Sequence, residues 1–178
     1  MEHPNHRGSA GGKIAAAESG QAAVEFALIA GLMLVLLCLL IDFSRAIHDV
    51  QVMAGLSRQG SNLASRGTTL SDSAAAVIAG DSPLDLNRNG EVIITSVTNI
   101  NRVLTITDQV SQGGISQNSR VGRGVGNTAK VPSSATAMLQ PGQTIYVTEI
   151  FYSYKPITPI QNLLKLVMPS DLYQSAYF

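Results

Sequence analysis

The chain has 178 residues, of which 45% are hydrophobic, and its 12 basic and 12 acidic side chains give a formal net charge of zero. That length suits one modest domain and excludes a two-domain enzyme. A protein that tracks nucleic-acid phosphates needs a basic face or stripe, and none is visible here, so we expect no nucleic-acid partner. The single cysteine, Cys38, excludes an intrachain disulfide and a cysteine-rich metal site.

The first 19 residues are polar and small and show no helical or strand periodicity, so we expect them to be disordered. An unbroken apolar run follows from Phe26 to Ile41, and it extends back to Ala22 with Glu25 as its one polar residue. At 1.5 Å per helical residue, segment 22–41 covers the roughly 30 Å of a bilayer's hydrocarbon core. The sequence therefore predicts one membrane-spanning helix.

This apolar segment differs from a secretory signal peptide. Such a signal has an apolar stretch of about 7 to 15 residues, followed by a small-residue cleavage site. The run here is longer, and the residues after it are Asp42-Phe43-Ser44-Arg45, which contain no such site. We therefore expect the segment to be retained as an anchor. Basic residues are equally frequent on both sides of the run, so their distribution does not set the orientation.

The helix is expected to continue beyond the membrane, because apolar and small residues recur at steps of three, four or seven. The predicted inner face consists of Phe43, Ala46, Ile47, Val50, Met53, Ala54, Ser57 and Ala64. Asp42, Arg45 and Asp49 lie off that face, and we expect Asp42 and Arg45 to form a solvated pair at the outer interface. The helix, residues 21–66, should end near Arg66-Gly67.

The remaining residues, 67–178, predict a small exported domain that contains short helices and strands. A helix is expected over 68–79, capped by Ser71 or Asp72. A second short helix is expected over 161–168, where Pro169 would stop it.

Four segments of the exported domain predict strands. Residues 92–97 and 103–110 are rich in β-branched side chains and close in sequence, so they predict neighbouring antiparallel strands. Residues 144–154 carry bulky side chains on both faces, which is typical of a central strand. Residues 172–178 end the chain on aromatic side chains and predict a last strand on the sheet. The fold class is therefore predicted as α+β, with an antiparallel sheet.

Two loops are candidates for binding. The segment 111–130 is rich in Gly, Ser and Asn and carries Arg120, Arg123 and Lys130 without an acidic residue, so we expect a mobile, mildly basic loop. A contact surface for a partner or ligand is the alternative. A phosphate-binding turn is not expected at residues 122–126, because no strand immediately precedes it and no apolar helix follows it.

The second loop, residues 85–90 (DLNRNG), matches the start of a calcium-binding loop. The oxygen ligands would be Asp85, Asn87 and Asn89. The match then fails, because Ser96 stands where a bidentate carboxylate is needed and an arginine within the loop adds positive charge. An Asn-Gly turn leading into the next strand explains the same residues without metal. We predict that turn, keep calcium as the alternative and expect no other cofactor.

Glu25 stands inside the apolar segment, where an ionised carboxylate costs about 2.5 to 3.5 kcal/mol at mid-bilayer and less near the interface. It therefore lies at headgroup level or needs a partner. The run from Gly20 to Glu25, GQAAVE, resembles the type IV prepilin processing pattern. That resemblance implies that a membrane aspartyl peptidase cuts after Gly20 and releases residues 1–20 as a leader. The new amine of Gln21 would then pair with Glu25 of its own chain or of a neighbour.

With the Ile41–Ala46 exit and the Tyr154–Ile160 segment, these residues resemble the TadE-like family, the minor pseudopilins of the tight-adherence (Flp) pilus. Major Flp pilins are far shorter and carry Glu-Tyr at the motif, whereas Phe26 follows Glu25 here. The resemblance implies a pilin-like fold, a bacterial inner-membrane location with the N-terminus cytoplasmic, and a domain outside. It also implies three kinds of partner: a prepilin peptidase, other pilins or pseudopilins, and the inner-membrane assembly platform. The implied role is to assemble, initiate or tip an adhesive pilus for surface attachment and biofilm formation.

Three alternatives stay open. The chain could be a pseudopilin of a type II secretion or competence system, although the calcium carboxylate cluster usual in that group is missing. It could be a signal-anchored periplasmic binding domain. A membrane-anchored enzyme is the third alternative, but after leader removal only His48 remains of the three histidines, and no nucleophile-and-base motif is present. We therefore expect no catalysis and no small-molecule substrate.

Overall fold

A computed structural model of the chain describes residues 10–133, 139–159 and 170–178, and describes side chains from Gly20 onward within those ranges. The elements of these residues, in chain order, are α1 (Ala10–Ser65), α2 (Leu70–Ala79), α3 (Leu86–Asn89), β1 (Gly90–Ile100), β2 (Val103–Gly113), β3 (Thr144–Ser153) and β4 (Asp171–Tyr177). A long N-terminal helix followed by a small antiparallel sheet with short helices confirms the predicted α+β class. The helix predicted over 161–168 lies outside the described residues.

The first helix starts earlier than expected. The predicted disorder is wrong for residues 10–19, since α1 begins at Ala10, while residues 1–9 lie outside the described ranges. This stretch contains several alanines, which have the highest helix propensity. Extending an existing helix also avoids the cost of nucleation, so the apolar segment can propagate helix backwards into its polar neighbours.

The apolar half of α1 is not covered by the rest of the protein. From Gly20 the helix contains an 18-residue window with a mean hydropathy of 2.8, and none of that window is buried inside the protein. Large apolar side chains in this part, such as Phe26 and Leu28, are exposed around the whole helix. Within the described residues this is the one helix that is long and apolar enough to cross a membrane. By its length and composition, this part of α1 can cross a membrane.

The sheet has the strand order β2-β1-β3-β4, and all neighbouring strands are antiparallel. A two-residue turn joins β1 to β2, and both of its residues, Asn101 and Arg102, have positive φ angles of 53° and 68°. Such a turn matches the twist of a tight hairpin. The predicted pairing of the first two strands, the central position of β3 and the last strand β4 are all confirmed.

Each face of the sheet is covered. On one face the outer half of α1 and the short α2 pack against Val92, Ile94 and Ile150. On the other face Val97 and Val147 belong to a second apolar cluster with Val121 and other residues. The sheet is thus a middle layer between helices and the residues that follow β2.

The predicted inner face of α1 is right for Ala46, Met53, Ser57 and Ala64, which are buried. It is wrong for Phe43 and Ile47, which are 53% and 45% exposed. Asp42 and Asp49 are buried, although they were expected off that face. The buried face of α1 is rotated around the helix axis relative to the predicted face, because polar side chains of α1 bind the sheet and its loops. A pattern of apolar residues does not reveal such polar contacts.

The cap of α2 also differs from the prediction. The N-cap is Thr69, whose Oγ1 accepts a hydrogen bond from the backbone N–H of Asp72 at 3.1 Å and donates one to the Asp72 carboxylate at 2.7 Å. Ser71 and Asp72 lie inside the first turn. The helix starts at Leu70, because that side chain is buried in the core. The N-cap is therefore the residue before Leu70.

Candidate functional site

The predicted processing and assembly residues lie on open turns of α1. The side-chain amide of Gln21 donates a hydrogen bond to Glu25 at 2.9 Å, one helical turn away. Both residues and Phe26 are exposed, and no atom lies within 4 Å of the position where Gly20 would carry a Cβ. Another protein can therefore approach this surface without moving the domain. Cleavage after Gly20 and pairing through a Gln21 amine stay predictions.

Asp42 marks the outer end of the apolar run, and its side chain is completely buried. One carboxylate oxygen accepts the backbone N–H of Ile157 at 3.0 Å, and the other accepts the hydroxyl of Thr158. The backbone carbonyl of Asp42 accepts the Tyr154 hydroxyl at 2.8 Å. The expected solvated pair with Arg45 is therefore wrong, because Asp42 is hydrogen-bonded to the segment that follows β3.

This arrangement joins two distant parts of the chain. The exit of the apolar helix and segment 154–158 are more than 100 residues apart, yet three hydrogen bonds connect them around one residue. A buried carboxylate needs such donors, since an unpaired buried charge is strongly unfavourable. Asp42 therefore fixes the domain to the end of the membrane helix.

A second polar contact holds the far end of α1. The Ser61 hydroxyl donates to the Ala176 carbonyl at 2.9 Å and lies 3.0 Å from the Thr148 hydroxyl, while the Thr148 backbone N–H donates back at 3.0 Å. Gly60 permits this close approach, because a Cβ there would meet Thr148 side-chain atoms at 2.8 and 2.9 Å. At 1.5 Å per residue, Asp42 and Ser61 are about 28 Å apart along the helix. Two separated attachments make helix and sheet one rigid unit.

Asp49 lies between these two attachments and is buried. Burial raises the pKa of Asp49, and the nearby positive charges of Arg45 and His48 partly oppose that effect. Burial also raises the pKa of Tyr152, and the carboxylate of Asp49 adds to that rise. Asp49 is therefore an acid at the interface between α1 and β3 whose charged form is less stable in the folded protein than in water.

The loop after β2 is fixed to the opposite face of the sheet. Glu149 of β3 is completely buried and accepts hydrogen bonds from the Arg120 backbone N–H and the Tyr173 hydroxyl, both at 2.9 Å, and from the Ser119 hydroxyl. Glu91 of β1 is also buried and accepts the backbone N–H of Gln117. Two buried carboxylates thus hold the backbone of a basic loop.

The Arg120 guanidinium lies 3.8 Å from the centre of the Tyr173 ring and 5.9 Å from that of Phe151. Burial raises the pKa of Tyr173, and the neighbouring Glu149 charge adds to the effect. Val121 and Ala129 of the same loop are buried in the second apolar cluster. The predicted mobile loop is therefore wrong, because the loop is a packed layer. The signal in the sequence was the lone glutamate within the apolar strand 144–154.

Residues 85–90 form a helical turn in place of the predicted Asn-Gly turn. Asp85 has a positive φ of 55°, Leu86–Asn89 makes one helical turn, and β1 begins at Gly90, so the predicted Asn-Gly turn is wrong. The buried Leu86 side chain explains the helical turn. Asp85 faces the Arg88 guanidinium at 3.8 Å, and the Asn89 side-chain oxygen accepts the Lys155 ammonium at 2.9 Å. Calcium binding by Asp85, Asn87 and Asn89 stays a prediction, although these cations compete for two of its oxygen ligands.

The rest of the described residues offers little for catalysis. No group of three or more His, Cys, Asp or Glu side chains that could hold a metal ion occurs within the described ranges. One open groove of about 310 Å³ lies where α1 meets α2, and its lining includes Ser96, Asp108 and Tyr146. Ser96 lies opposite Asp108 in the pairing of β1 with β2, and the Ser96 hydroxyl lies 2.6 Å from the Thr107 hydroxyl.

Comparison with known proteins gives one match. Residues 20–62 fit the family model described as TadE-like protein. The matched range begins at the glycine of the processing pattern, includes Glu25 and Asp42, and ends beyond the polar contact at Ser61. It does not include segment 154–160. Searches of curated proteins and of solved structures found no match.

Proposed function

We propose that the chain is a minor pseudopilin of the Tad pilus, anchored in a membrane by α1, because residues 20–62 match the TadE-like family model and the helix of that range is long and apolar enough to cross a membrane. Its role is to help assemble, initiate or tip the fibre for surface attachment. The observation that carries this proposal is the exposed helix with Gly20 and Glu25 in the prepilin spacing, joined rigidly to a folded domain at Asp42.

In this proposal a prepilin peptidase cuts after Gly20 on the cytoplasmic face, and the leader stays behind. The Gln21 amine and the Glu25 carboxylate are then two opposite charges near one membrane boundary. A neighbouring pilin helix that supplies the matching charge offsets the cost of burying both. The Gln21 side chain, which already lies 2.9 Å from Glu25, shows that the two positions face one another.

The bare apolar part of α1 supports the same role. Its side chains are exposed on all sides, so it can exchange lipid for other pilin helices without refolding the domain. The partners are other pilins or pseudopilins and the inner-membrane assembly platform. The domain lies outside the inner membrane and moves with the helix, because Asp42 and Ser61 attach it at two heights.

The first experiment is mass spectrometry of the N-terminus after membrane extraction, from cells with and without the prepilin peptidase. We expect a terminus at Gln21 that disappears without the peptidase. Gly20→Leu should block the cut, while Gly31→Leu should not, and both glycines have open space around them. An intact Met1 in cells that contain the peptidase would refute processing.

Deletion of the gene separates the pilus role from a type II secretion role. We expect loss of tight-adherence pili and of surface attachment, with secretion of folded enzymes unchanged. A secretion defect with normal piliation would assign the chain to the other pathway.

A further inference from the structure

We propose that the underside of the exported domain, formed by Lys155–Pro159 and the exit turn of α1, rests in the outer surface of the lipid bilayer and inserts Ile157 at the headgroup boundary. This proposal rests on the membrane anchor alone and does not depend on processing or on a pilus. The partner is the membrane that contains the anchor.

The height of the domain follows from the length of the helix. The apolar run 22–41 is needed in full to cross roughly 30 Å of hydrocarbon. Leu39 is nevertheless partly buried and packs against the core of the domain. At 1.5 Å per residue, Leu39 lies only about 3 Å below the end of the run. The domain therefore reaches the bilayer boundary and has no stalk below it.

Asp42 sets the position of the underside segment. Its carboxylate accepts the backbone N–H of Ile157 at 3.0 Å, so that residue lies beside the first position beyond the apolar run. The Ile157 side chain is 63% exposed. Phe43 and Ile47 are also exposed on the helix at and just above this height. The exposed apolar surface of the membrane span thus continues onto the domain without a break.

The charges around this surface suit lipid headgroups. Asp42 and Asp49 are buried, whereas Arg45 and His48 on the same turns are exposed. The nearby acid Asp85 faces the Arg88 guanidinium at 3.8 Å. The Arg45 guanidinium next to exposed apolar side chains matches the phosphates and acyl chains of a lipid leaflet, and a long basic side chain can extend toward the phosphates.

The chain contains no tryptophan, so a single introduced tryptophan reports its own surroundings. We would compare Ile157→Trp with Val125→Trp, because both native side chains are 63% exposed. Val125 is far from the underside. Its neighbour Gly126 donates a hydrogen bond to Ile106, which pairs with Val97 of β1, whereas the end of β1 near the underside is Gly90, which pairs with Tyr152. Val97 and Gly90 are seven strand residues apart, which corresponds to about 23 Å.

The full-length protein is reconstituted at high dilution into phosphatidylethanolamine and phosphatidylglycerol vesicles that contain lipids brominated near the headgroup end of the acyl chain. We expect the Ile157→Trp fluorescence to fall at least twofold and that of Val125→Trp to stay unchanged. Phe43→Trp, at the end of the span, is the positive control for insertion.

Equal, weak quenching of Ile157→Trp and Val125→Trp beside strong quenching of Phe43→Trp would overturn the proposal, since the domain would then stand off the bilayer. Weak quenching of Ile157→Trp that increases as the protein is diluted further would also overturn it, because a second copy would then cover this residue at the higher protein density. Failure of processing would leave this measurement unchanged, so the two proposals fail independently.

Discussion

The Asp42 carboxylate, one residue beyond the apolar run, accepts the backbone N–H of Ile157 at 3.0 Å across 115 positions of the chain. Its second oxygen accepts the Thr158 hydroxyl. This contact fixes the domain to the end of the apolar part of α1. In a protein that transmits position from a membrane helix to an outer domain, the contact is as important as the anchor.

Asp42→Ala should lower the free energy of unfolding of the detergent-solubilised chain by about 2 to 3 kcal/mol. The change removes a charged acceptor and leaves the Ile157 N–H without its partner. Asp42→Asn keeps one acceptor oxygen and should lose less. Thermal melts followed by circular dichroism give the order wild type, Asn, Ala, and an alanine variant as stable as wild type would refute the role of this contact.

Gly60→Ala should destabilise the protein by about 1 to 3 kcal/mol, although alanine is the better helix former. The new methyl group would lie within 3.0 Å of Thr148 and Val77 side-chain atoms. Gly55→Ala is the matched control, because that glycine of the same helix has open space around it. The control should raise stability by up to about 1 kcal/mol. Chemical denaturation compares the two, and shifts of the same sign would contradict the packing.

Glu149→Ala should release the loop after β2, because the Arg120 N–H and the Tyr173 hydroxyl lose their acceptor. We expect a stability loss of about 2 to 3 kcal/mol and faster trypsin cleavage at Arg120 and Arg123. Asp108→Ala, which removes an exposed acid of β2, two strands away from Glu149, controls for the loss of one negative charge. Cleavage of the Glu149 variant at the wild-type rate would show that other contacts hold the loop.

Asp49→Asn should stabilise the protein at neutral pH. Burial raises the pKa of Asp49 above its ordinary value of 3.8, so the folded chain holds this proton more tightly than the unfolded chain does. The stabilising contribution of the protonated form is present below 3.8 and is lost as the pH rises through the higher folded-state value. Melting temperatures of the two proteins should therefore agree most closely at acid pH and diverge as the pH rises. A constant difference would exclude this titration.

Glu25→Ala should leave membrane insertion intact and impair assembly, since the apolar run is unchanged but the partner of the Gln21 amine is lost. The domain should melt at the wild-type temperature, because Glu25 contacts only Gln21 among the hydrogen bonds of the described residues. Pilus counts by electron microscopy test the assembly step. Normal piliation would weigh heavily against the charge-pairing idea.

Local patterns of the sequence predicted the apolar helix, α2 and the four strands, but neither the early start of α1 nor the helical turn α3. The apolar run, the β-branched segments and the last aromatic strand all predict structure that the chain forms, because burial of apolar surface dominates those choices. The central position of β3 also followed from bulky side chains on both faces. Each of these signals lies within about twenty consecutive residues.

The polar contacts could not be predicted in the same way. Asp42 looked like a solvated acid and Phe43 like a core residue, since burial of Asp42 depends on donors at Ile157 and Thr158 that lie far away in sequence. The loop after β2 looked mobile because Glu149, its main attachment, is on a strand some thirty positions later. Long-range hydrogen bonds have no period for a sequence pattern to reveal.

The Ser61 hydroxyl reaches the carbonyl of Ala176, 115 positions later. During folding the Ser61 hydroxyl must wait for the last strand before it finds this partner. Such sequence-distant pairing delays folding, because loop-closure entropy is lost before native contacts compensate. The domain therefore cannot fold segment by segment from its N-terminus. Until residues 171–177 have joined the sheet, Ser61 lacks its carbonyl acceptor, and this face of α1 stays open to other molecules.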